Sequence, residues 1–289
     1  MIRIGEAEIR RVEELQVRRP VAGLQAPPAL VAANIGWLAP DFIDPADDSF
    51  ALVFQTWVLR TAGLTVVVDP CTGNGRNLPV LPFFHQLDTP FLERFEATGV
   101  RPDQVDVVFC THLHCDHCGW NTQMRDGRWV PTFPNARYLF VRREVERWDP
   151  ARAGHNAVDY NVGVFEASVA PIIDAGLADL VENRHVVSPQ LTIEPAWGHT
   201  NGHSALHLVS GGEALWFTGD VFHHPLEILD TSVHLDGGDD PAQAALTRNR
   251  LLGAIADEEA IMLPAHFPAP HGGRVVRKGE AFGFIPLGS

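Results

Sequence analysis

A layered α+β fold, two β-sheets packed face to face with helices outside (an αββα sandwich), is the class that the 289-residue sequence predicts. Strand-rich runs of Val, Leu, Phe and Thr alternate with helical stretches in two successive halves, and each half carries a hairpin signal. Several strand runs also end on polar residue types, as if one rim of a sheet gathered them.

Ala51 to Leu59 and Leu64 to Val68 read as strands joined through Thr61-Ala62-Gly63, and Asp69-Pro70-Cys71-Thr72-Gly73 closes the second with an acidic residue and a turn. After the break at Arg101-Pro102-Asp103, Val105 to Cys110 is a strand that runs directly into a histidine cluster. Ala136 to Val141 follows as a strand, Arg142 to Trp148 as the first turns of a helix, and Val162 to Ala175 as a helix interrupted by Pro171. The polar stretch Asp149 to Asn161, with Gly154 and Asn156, suits a loop at a pocket mouth. Strands resume at Leu191, with a second hairpin over Ala205 to Ser210, Gly211-Gly212 and Ala214 to Phe217. Pro241 to Ile255 is a helix with Pro at its first position, and Ala260 to Leu263 is a short strand. Residues 1–50, broken by Pro20, Pro27, Pro28, Pro40 and Pro45, are expected as an irregular N-terminal extension with short strands, part of a single domain spanning 1–289.

An apolar fraction of 45% with 20% charged residues is that of a globular chain, and no apolar run approaches the roughly 18 residues of a membrane helix, so no membrane partner is expected. The formal charge of −14 repels a nucleic-acid backbone, and basic residues gather no further than pairs such as Arg142-Arg143 and Arg277-Lys278. Nucleic acid is therefore excluded as an expected partner. Met1 to Arg19 mixes four Glu with several Arg and lacks the apolar centre of a secretory signal, while Cys71, Cys110, Cys115 and Cys118 are too few for a disulfide scaffold. The expected location is the cytoplasm.

Thr111-His112-Leu113-His114-Cys115-Asp116-His117 packs four strong metal ligands into six residues directly after a strand. Neutral imidazole nitrogen with carboxylate oxygen is the donor set of zinc or a related borderline metal. Three more candidates stand at or just beyond strand ends: His199 in Trp197-Gly198-His199-Thr200, Asp220 in Thr218-Gly219-Asp220, and His266 in Leu263-Pro264-Ala265-His266.

This ordered set resembles the H-x-H-x-D-H motif of the metallo-β-lactamase superfamily, followed by its Gly-His, Gly-Asp and late His, over roughly Leu52 to Phe267. The resemblance implies two divalent ions, zinc or otherwise Mn, Fe or Co. It places His112, His114 and His199 on one, Asp116, His117 and His266 on the other, and Asp220 on both. It further implies a hydrolase in which a hydroxide between the ions opens a lactone or cleaves an ester or phosphoester. Asp116 would take a proton as the intermediate forms. A homodimer is compatible with it, residues 1–50 being available for an interface.

Many β-lactamases of this fold carry Cys at the position of Asp220 or Arg at that of His117, and the oxygen-reducing di-iron relatives carry Glu at that of His114. Neither pattern matches here. The long interval of 82 positions from His117 to His199 is similar to organophosphate-hydrolase-like and larger lactonase members. Two rival readings are a mononuclear iron enzyme resembling persulfide dioxygenase, using His112, His199 and Asp220, and a glyoxalase II-like thioester hydrolase. Where compact lactonases have a Tyr three residues after the shared Asp, this chain has His223, with His224 beside it, and either is a candidate to assist at the substrate oxygen. Asp69 resembles the family's Asp-x-Gly element, although Gly73 comes four residues later, and suits orienting a ligand His. His203 and His207 read as packed histidines rather than ligands, and the C-x-x-C of Cys115 and Cys118 interleaves with ligands rather than opening a redox helix. Trp120, Phe133, Trp148, Phe222 and Phe267 are candidates for an apolar pocket wall suited to an acyl or aryl substrate.

Overall fold

Period-two alternation explains how the sheets find each other. The computed structural model describes residues 1–152 and 158–288, so Gly154 and Asn156 of the expected pocket-mouth loop lie outside the described residues. The first half supplies β1 (Ile2–Ile4), β2 (Ala7–Pro20), β3 (Ile43–Asp44), β4 (Ser49–Thr61), β5 (Leu64–Val68), β6 (Val107–Phe109), β7 (Thr122–Arg125), β8 (Arg128–Pro131), β9 (Arg137–Val141) and β10 (Ala178–Val181). Among the described residues they form a sheet in the order β1-β2-β4-β5-β6-β9-β10, with β3 on β4, and a separate β7-β8 hairpin. The second half supplies β11 (His185–Ser188), β12 (Leu191–Pro195), β13 (Ser204–Ser210), β14 (Glu213–Gly219), β15 (Ile261–Pro264), β16 (Gly273–Lys278) and β17 (Ala281–Pro286), paired in sequence order.

Trp57, Leu59, Val66, Val68, Val107 and Phe109 of the first sheet form one buried cluster with Leu206, Leu208, Leu215, Phe217, Ile261 and Leu263 of the second. The intervening residues Val58, Val67, Val108, Tyr138 and Phe140 belong to the other core cluster, with helical residues such as Phe95, Val145 and Ile172. The helices are α1 (Pro28–Leu38), α2 (Phe91–Glu96), α3 (Cys115–Cys118), α4 (Arg142–Trp148), α5 (Val164–Ser168), α6 (Ala170–Asp174), α7 (Leu226–Leu229) and α8 (Pro241–Asp257). The Asp240 side chain caps α8 by accepting the Gln243 N–H at 2.9 Å, and buried Ala244, Arg248, Leu251, Leu252 and Ile255 give the helix one inward stripe. An αββα sandwich is thus the observed fold. The interruption expected at Pro171 falls at Val169 instead, because Pro171 fits the first turn of α6, where no N–H is needed. None of the described helices is long and apolar enough to cross a membrane.

Residues 1–50 are not irregular, which corrects the sequence expectation. β2 runs antiparallel to β4 from Glu8 opposite Arg60 to Pro20 opposite Ser49. A register shift between Glu13 and Leu15 breaks the alternation, and only Ala7, Ile9, Val12 and Glu14 of β2 are buried, so the strand has no clean apolar period to read. The prolines sit where structure changes: Pro20 ends β2 and Pro28 opens α1.

β2 delivers Glu14 into the interior. Its carboxylate accepts the Thr72 N–H at 2.8 Å, the Gly73 N–H at 3.0 Å and the Trp120 Nε1–H at 2.6 Å. Burial pushes its pKa up, and the three bonds oppose that shift. The joined loops approach so closely that a Cβ on Gly119 would stand 1.7 Å from the Thr72 carbonyl oxygen. Replacing Glu14 by Ala strands three buried donors and is expected to lower unfolding free energy by about 3–5 kcal/mol, with Glu14→Gln losing less. Urea denaturation checks this, and an unshifted midpoint in Glu14→Ala would show that the loops hold without the clamp.

Candidate metal centre

The candidate ligand residues gather where strands end. β5, β6 and β9 are parallel, with Val68 opposite Phe109, so the chain leaves β5 at Asp69 beside the point where it leaves β6 toward His112. In the second sheet β14 and β15 are parallel, which sets Asp220 beside the Ala265-His266 segment, while His199 follows β12. Gly219 ends β14 against Thr111 and His203, where a Cβ would stand 2.6 and 2.7 Å from their side-chain atoms, so a glycine is required there.

One group of ligand atoms comes from His112, His114, His199 and Asp220, and a second from Asp116, His117 and His266, each set lying within 4.8 Å of one another. His114 Nδ1 is 2.9 Å from His112 Nε2 and 3.0 Å from His199 Nε2. Asp220 turns Oδ2 toward this group, 3.3 Å from His199 Nε2, and Oδ1 toward the second, 3.2 Å from His117 Nε2 and 3.0 Å from His266 Nε2. Asp116 Oδ2 completes the second group, 3.6 Å from His117 Nε2 and 3.5 Å from His266 Nε2. Donors about 2.0–2.2 Å from one tetrahedral ion are roughly 3.3–3.6 Å apart, and the spacings here, from 2.9 to 3.6 Å, reach that range after outward shifts of a few tenths of an ångström. Asp220 Oδ1 is buried and accepts no well-formed hydrogen bond despite its two imidazole neighbours, which is what a carboxylate shared with a cation requires.

Proton positions follow from the surrounding bonds. Asp69 accepts the Thr111 N–H at 2.7 Å and its hydroxyl proton at 2.9 Å, so toward His112 Nδ1, 3.1 Å away, the Thr111 oxygen can only accept. His112 thus carries its proton on Nδ1 and aims the Nε2 lone pair at the cluster. His266 Nδ1 meets the Val53 carbonyl oxygen at 3.1 Å, with the same consequence for its Nε2, whereas His117 Nδ1 stands 3.1 Å from Asp69 Oδ2 without a well-formed hydrogen bond. Burial holds His112, His199 and His114 neutral, the last near pKa 4. Burial also opposes charge on His117, yet Asp220, Asp116 and Asp69 together raise its pKa well above the ordinary value.

The remaining sequence candidates separate clearly. His223 Nε2 is 3.1 Å from Asp220 Oδ2 and its Nδ1 is 3.5 Å from Glu227 Oε1, and Arg248 Nη2 donates to the same Glu227 oxygen at 2.8 Å. Burial lowers the pKa of His223, but Asp220 and Glu227 prevail and bring it to about 10. His224 instead packs edge-on against Phe42 and Phe50, and its Nδ1 accepts the Leu226 N–H at 3.2 Å, so it belongs to the core. His203, held neutral near pKa 3 by burial, accepts the Asp220 N–H at 3.0 Å, and His207 stacks on Trp216 away from the cluster. Cys115 and Cys118 are buried free thiols whose pKa burial raises, leaving them protonated.

A cavity of about 150 Å³ opens on the cluster, walled by Leu52, Phe54, Leu81, Phe83, Phe84, Tyr160 and Leu235, and His223 lines it. Trp120, Phe133, Trp148, Phe222 and Phe267 do not line it, which corrects the expected pocket wall. They face the core instead: Trp120 stacks on Phe91, for example, with ring centroids 4.9 Å apart, and Phe267 meets Phe42 at 5.8 Å. Two residues of the site were missed in the sequence. Glu144 accepts the Leu113 N–H at 3.1 Å, the Gly202 N–H at 2.8 Å, the Thr200 hydroxyl at 2.5 Å and Trp148 Nε1–H at 2.9 Å, tying the first ligand loop to that of His199. Tyr160 Oη lies 3.4 Å from His114 Nε2; its rarity, one of two Tyr in the chain, was the available signal.

An αββα sandwich with two histidine and aspartate groups on one strand-end rim defines a metallo-hydrolase scaffold. Residues 55–266 match the family model described as the metallo-beta-lactamase superfamily, and the chain belongs to that superfamily. Among curated proteins, none matches the sequence. Among solved structures, hydrolase AbOPH of the beta lactamase superfamily superposes with a TM-score of 0.80 at 19% identity, covering 100% of this chain and 97% of that one. AidC, a dizinc quorum-quenching lactonase in complex with a product, gives 0.78 at 19% over 100% and 97%. A probable metal-dependent hydrolase from Staphylococcus aureus gives 0.75 at 16% over 100% and 99%. At these identities the likeness is one of fold.

Thr111→Val keeps the side chain's shape but cuts the Asp69–Thr111–His112 chain of bonds. It is expected to weaken zinc binding about 10- to 100-fold with the fold retained, measured by competition with a chromogenic chelator. Unchanged affinity would show that the His112 ring is held by packing alone.

Proposed function

We propose that this chain is a dinuclear metallohydrolase acting on a lactone, ester or phosphoester. One observation carries the reading: two groups of lone-pair donors share the Asp220 carboxylate, one oxygen each, at the floor of an apolar cavity. In this reading His112, His114 and His199 would hold one divalent ion, zinc by donor type, Asp116, His117 and His266 would hold the other, and Asp220 would serve both. The bound pair supplies hydroxide near neutral pH and draws charge from the substrate's carbonyl or phosphoryl oxygen.

The chain's own residues do the rest. Leu52, Phe54, Phe83 and Phe84 strip water from the reacting group. Asp116 lines the cavity and retains partial exposure, placing a carboxylate to take the proton released on attack. His223 lines the same cavity beside Asp220 and is placed to donate a hydrogen bond to the leaving oxygen. Glu227, held ionised by Arg248 against the effect of burial, keeps His223 in that orientation.

Elemental analysis of the protein is expected to give about two zinc or similar ions per chain. Turnover of an acyl lactone, an aryl ester or an aryl phosphotriester should be lost on chelation and restored by metal. One iron per chain, or no turnover across the panel, would overturn the dinuclear hydrolase. In the loaded enzyme His223→Gln is expected to lower kcat about 10- to 100-fold with metal content unchanged. A kcat equal to wild type would reduce His223 to a support for Asp220.

A further inference from the structure

Alternation along β2 sends one basic side chain to the cavity that opens on the ligand groups. Leu52 and Phe54 of β4 line that cavity, and their cross-strand partners on β2 are Val17 and Leu15. Leu15 and Val17 pack against the core, so the face of β2 that carries them is the face turned to the cavity wall. Arg19 stands two residues beyond Val17, opposite Phe50, and continues the same row onto the cavity wall.

Arg18, one residue earlier and so on the other face, is held in place. Its Nε donates to Ser49 Oγ at 2.6 Å, its Nη2 donates to the Ser49 carbonyl at 3.4 Å, and Asp44 lies 3.9 Å away. Arg19 has no hydrogen-bond, ion-pair or ring partner among the described residues, and it is exposed. Among the described residues that line the cavity it is the one Lys or Arg. The other charged groups there are carboxylates and histidines. Asp116 and Asp220 belong to the ligand groups, and Asp236 accepts the Gln25 Nε2–H at 3.2 Å instead of pairing with Arg19. A chain of formal charge −14 repels anions, so a cation left unpaired at a cavity is a local exception to its field. Its planar fork presents two parallel N–H donors to a carboxylate or phosphate.

β4 supplies a ruler between Arg19 and the ligand groups. The Val53 carbonyl oxygen meets His266 Nδ1 at 3.1 Å, so Val53 marks the level of those groups along the strand. Phe50, opposite Arg19, is three residues away, which at about 3.4 Å per residue is roughly 10 Å, with Leu52 between.

We infer that Arg19 selects substrates by a second, anionic group: a carboxylate or phosphate remote from the reacting bond is bound by the free guanidinium, while Leu52 covers the carbons between. The reacting end of this assignment rests on the hydrolase reading above, whereas the anion contact rests on Arg19 itself.

The test uses the metal-loaded protein and its Arg19→Gln and Arg19→Glu variants. The substrates are aryl esters of one chain length whose far end is a methyl, a carboxylate, a phosphate or a trimethylammonium group. In wild type, kcat/KM for the carboxylate or the phosphate ester is expected to exceed that for the methyl ester about tenfold. The gain should appear in KM and shrink as salt is added. Arg19→Gln should erase the preference, and Arg19→Glu should transfer it to the trimethylammonium ester, a reversal that a merely structural role would not produce. A preference for either anion supports the inference, and the larger ratio names the group. Calorimetry reads the contact without turnover: adipate should bind wild type about tenfold more tightly than hexanoate and lose that advantage in Arg19→Gln. No preference for either anionic ester in wild type, or the same preference in Arg19→Gln, overturns the inference. If no ester reacts while adipate and hexanoate differ as expected, the hydrolase reading fails and the anion contact stands. If no ester reacts and the two acids bind alike, the anion contact falls as well.

Discussion

The carboxylate of Asp69 accepts both protons of Thr111 and faces Nδ1 of His117. Through Thr111 it sets the His112 ring, which belongs to one ligand group, and it lays its negative charge 3.1 Å from His117, which belongs to the other. The two groups are therefore linked through one carboxylate. Asp69 reaches this position at φ +52°, the left-handed region that a residue with a side chain seldom adopts, and the backbone is held there by parallel pairing of β5 with β6. Asp220 repeats the logic from the opposite sheet, its N–H fixed by His203 and its two oxygens divided between the groups. The sandwich thus brings one orienting acid and one shared acid to the same rim from different sheets.

Much of this was legible in the sequence because strands and ligands adjoin. Leu64 to Val68, Ala205 to Ser210 and Ala214 to Phe217 carry the composition and spacing of buried strands, and their hairpins turn at Gly63 and Gly211-Gly212 where positive φ is needed. His112, His199, Asp220 and His266 each follow such a strand within a few residues, so position along the chain gives position in space. The order of the seven ligand types adds a family pattern to that geometry.

What could not be read depends on partners far away in sequence. Glu14 and Glu144 sit among other charged residues, Glu13 and Arg11 in one case and Arg142, Arg143 and Arg147 in the other, and resemble solvated positions. Only the donors of residues 72, 73 and 120, or of 113, 148, 200 and 202, make their burial tolerable. The cavity wall was misassigned for a related reason: Leu52, Phe84 and Leu235 come from three separate segments, and nearness to a motif says nothing about which way a ring points. His223 and His224 show this at its smallest scale, adjacent in sequence yet one at the cavity and the other in the core.

The segment that matches the family model begins inside β4 and stops at residue 266, before β16 and β17. The elements outside it include the borders of both sheets: β2 hydrogen-bonds along nearly all of β4, and β16 covers β15. Trimming the chain to the matched stretch would keep every one of the seven clustered ligands while baring two rows of backbone N–H and C=O groups, one on each sheet. Such open margins invite strand-to-strand addition between molecules. The stretch that carries all seven clustered side chains is therefore shorter than the least chain that keeps both sheet margins paired.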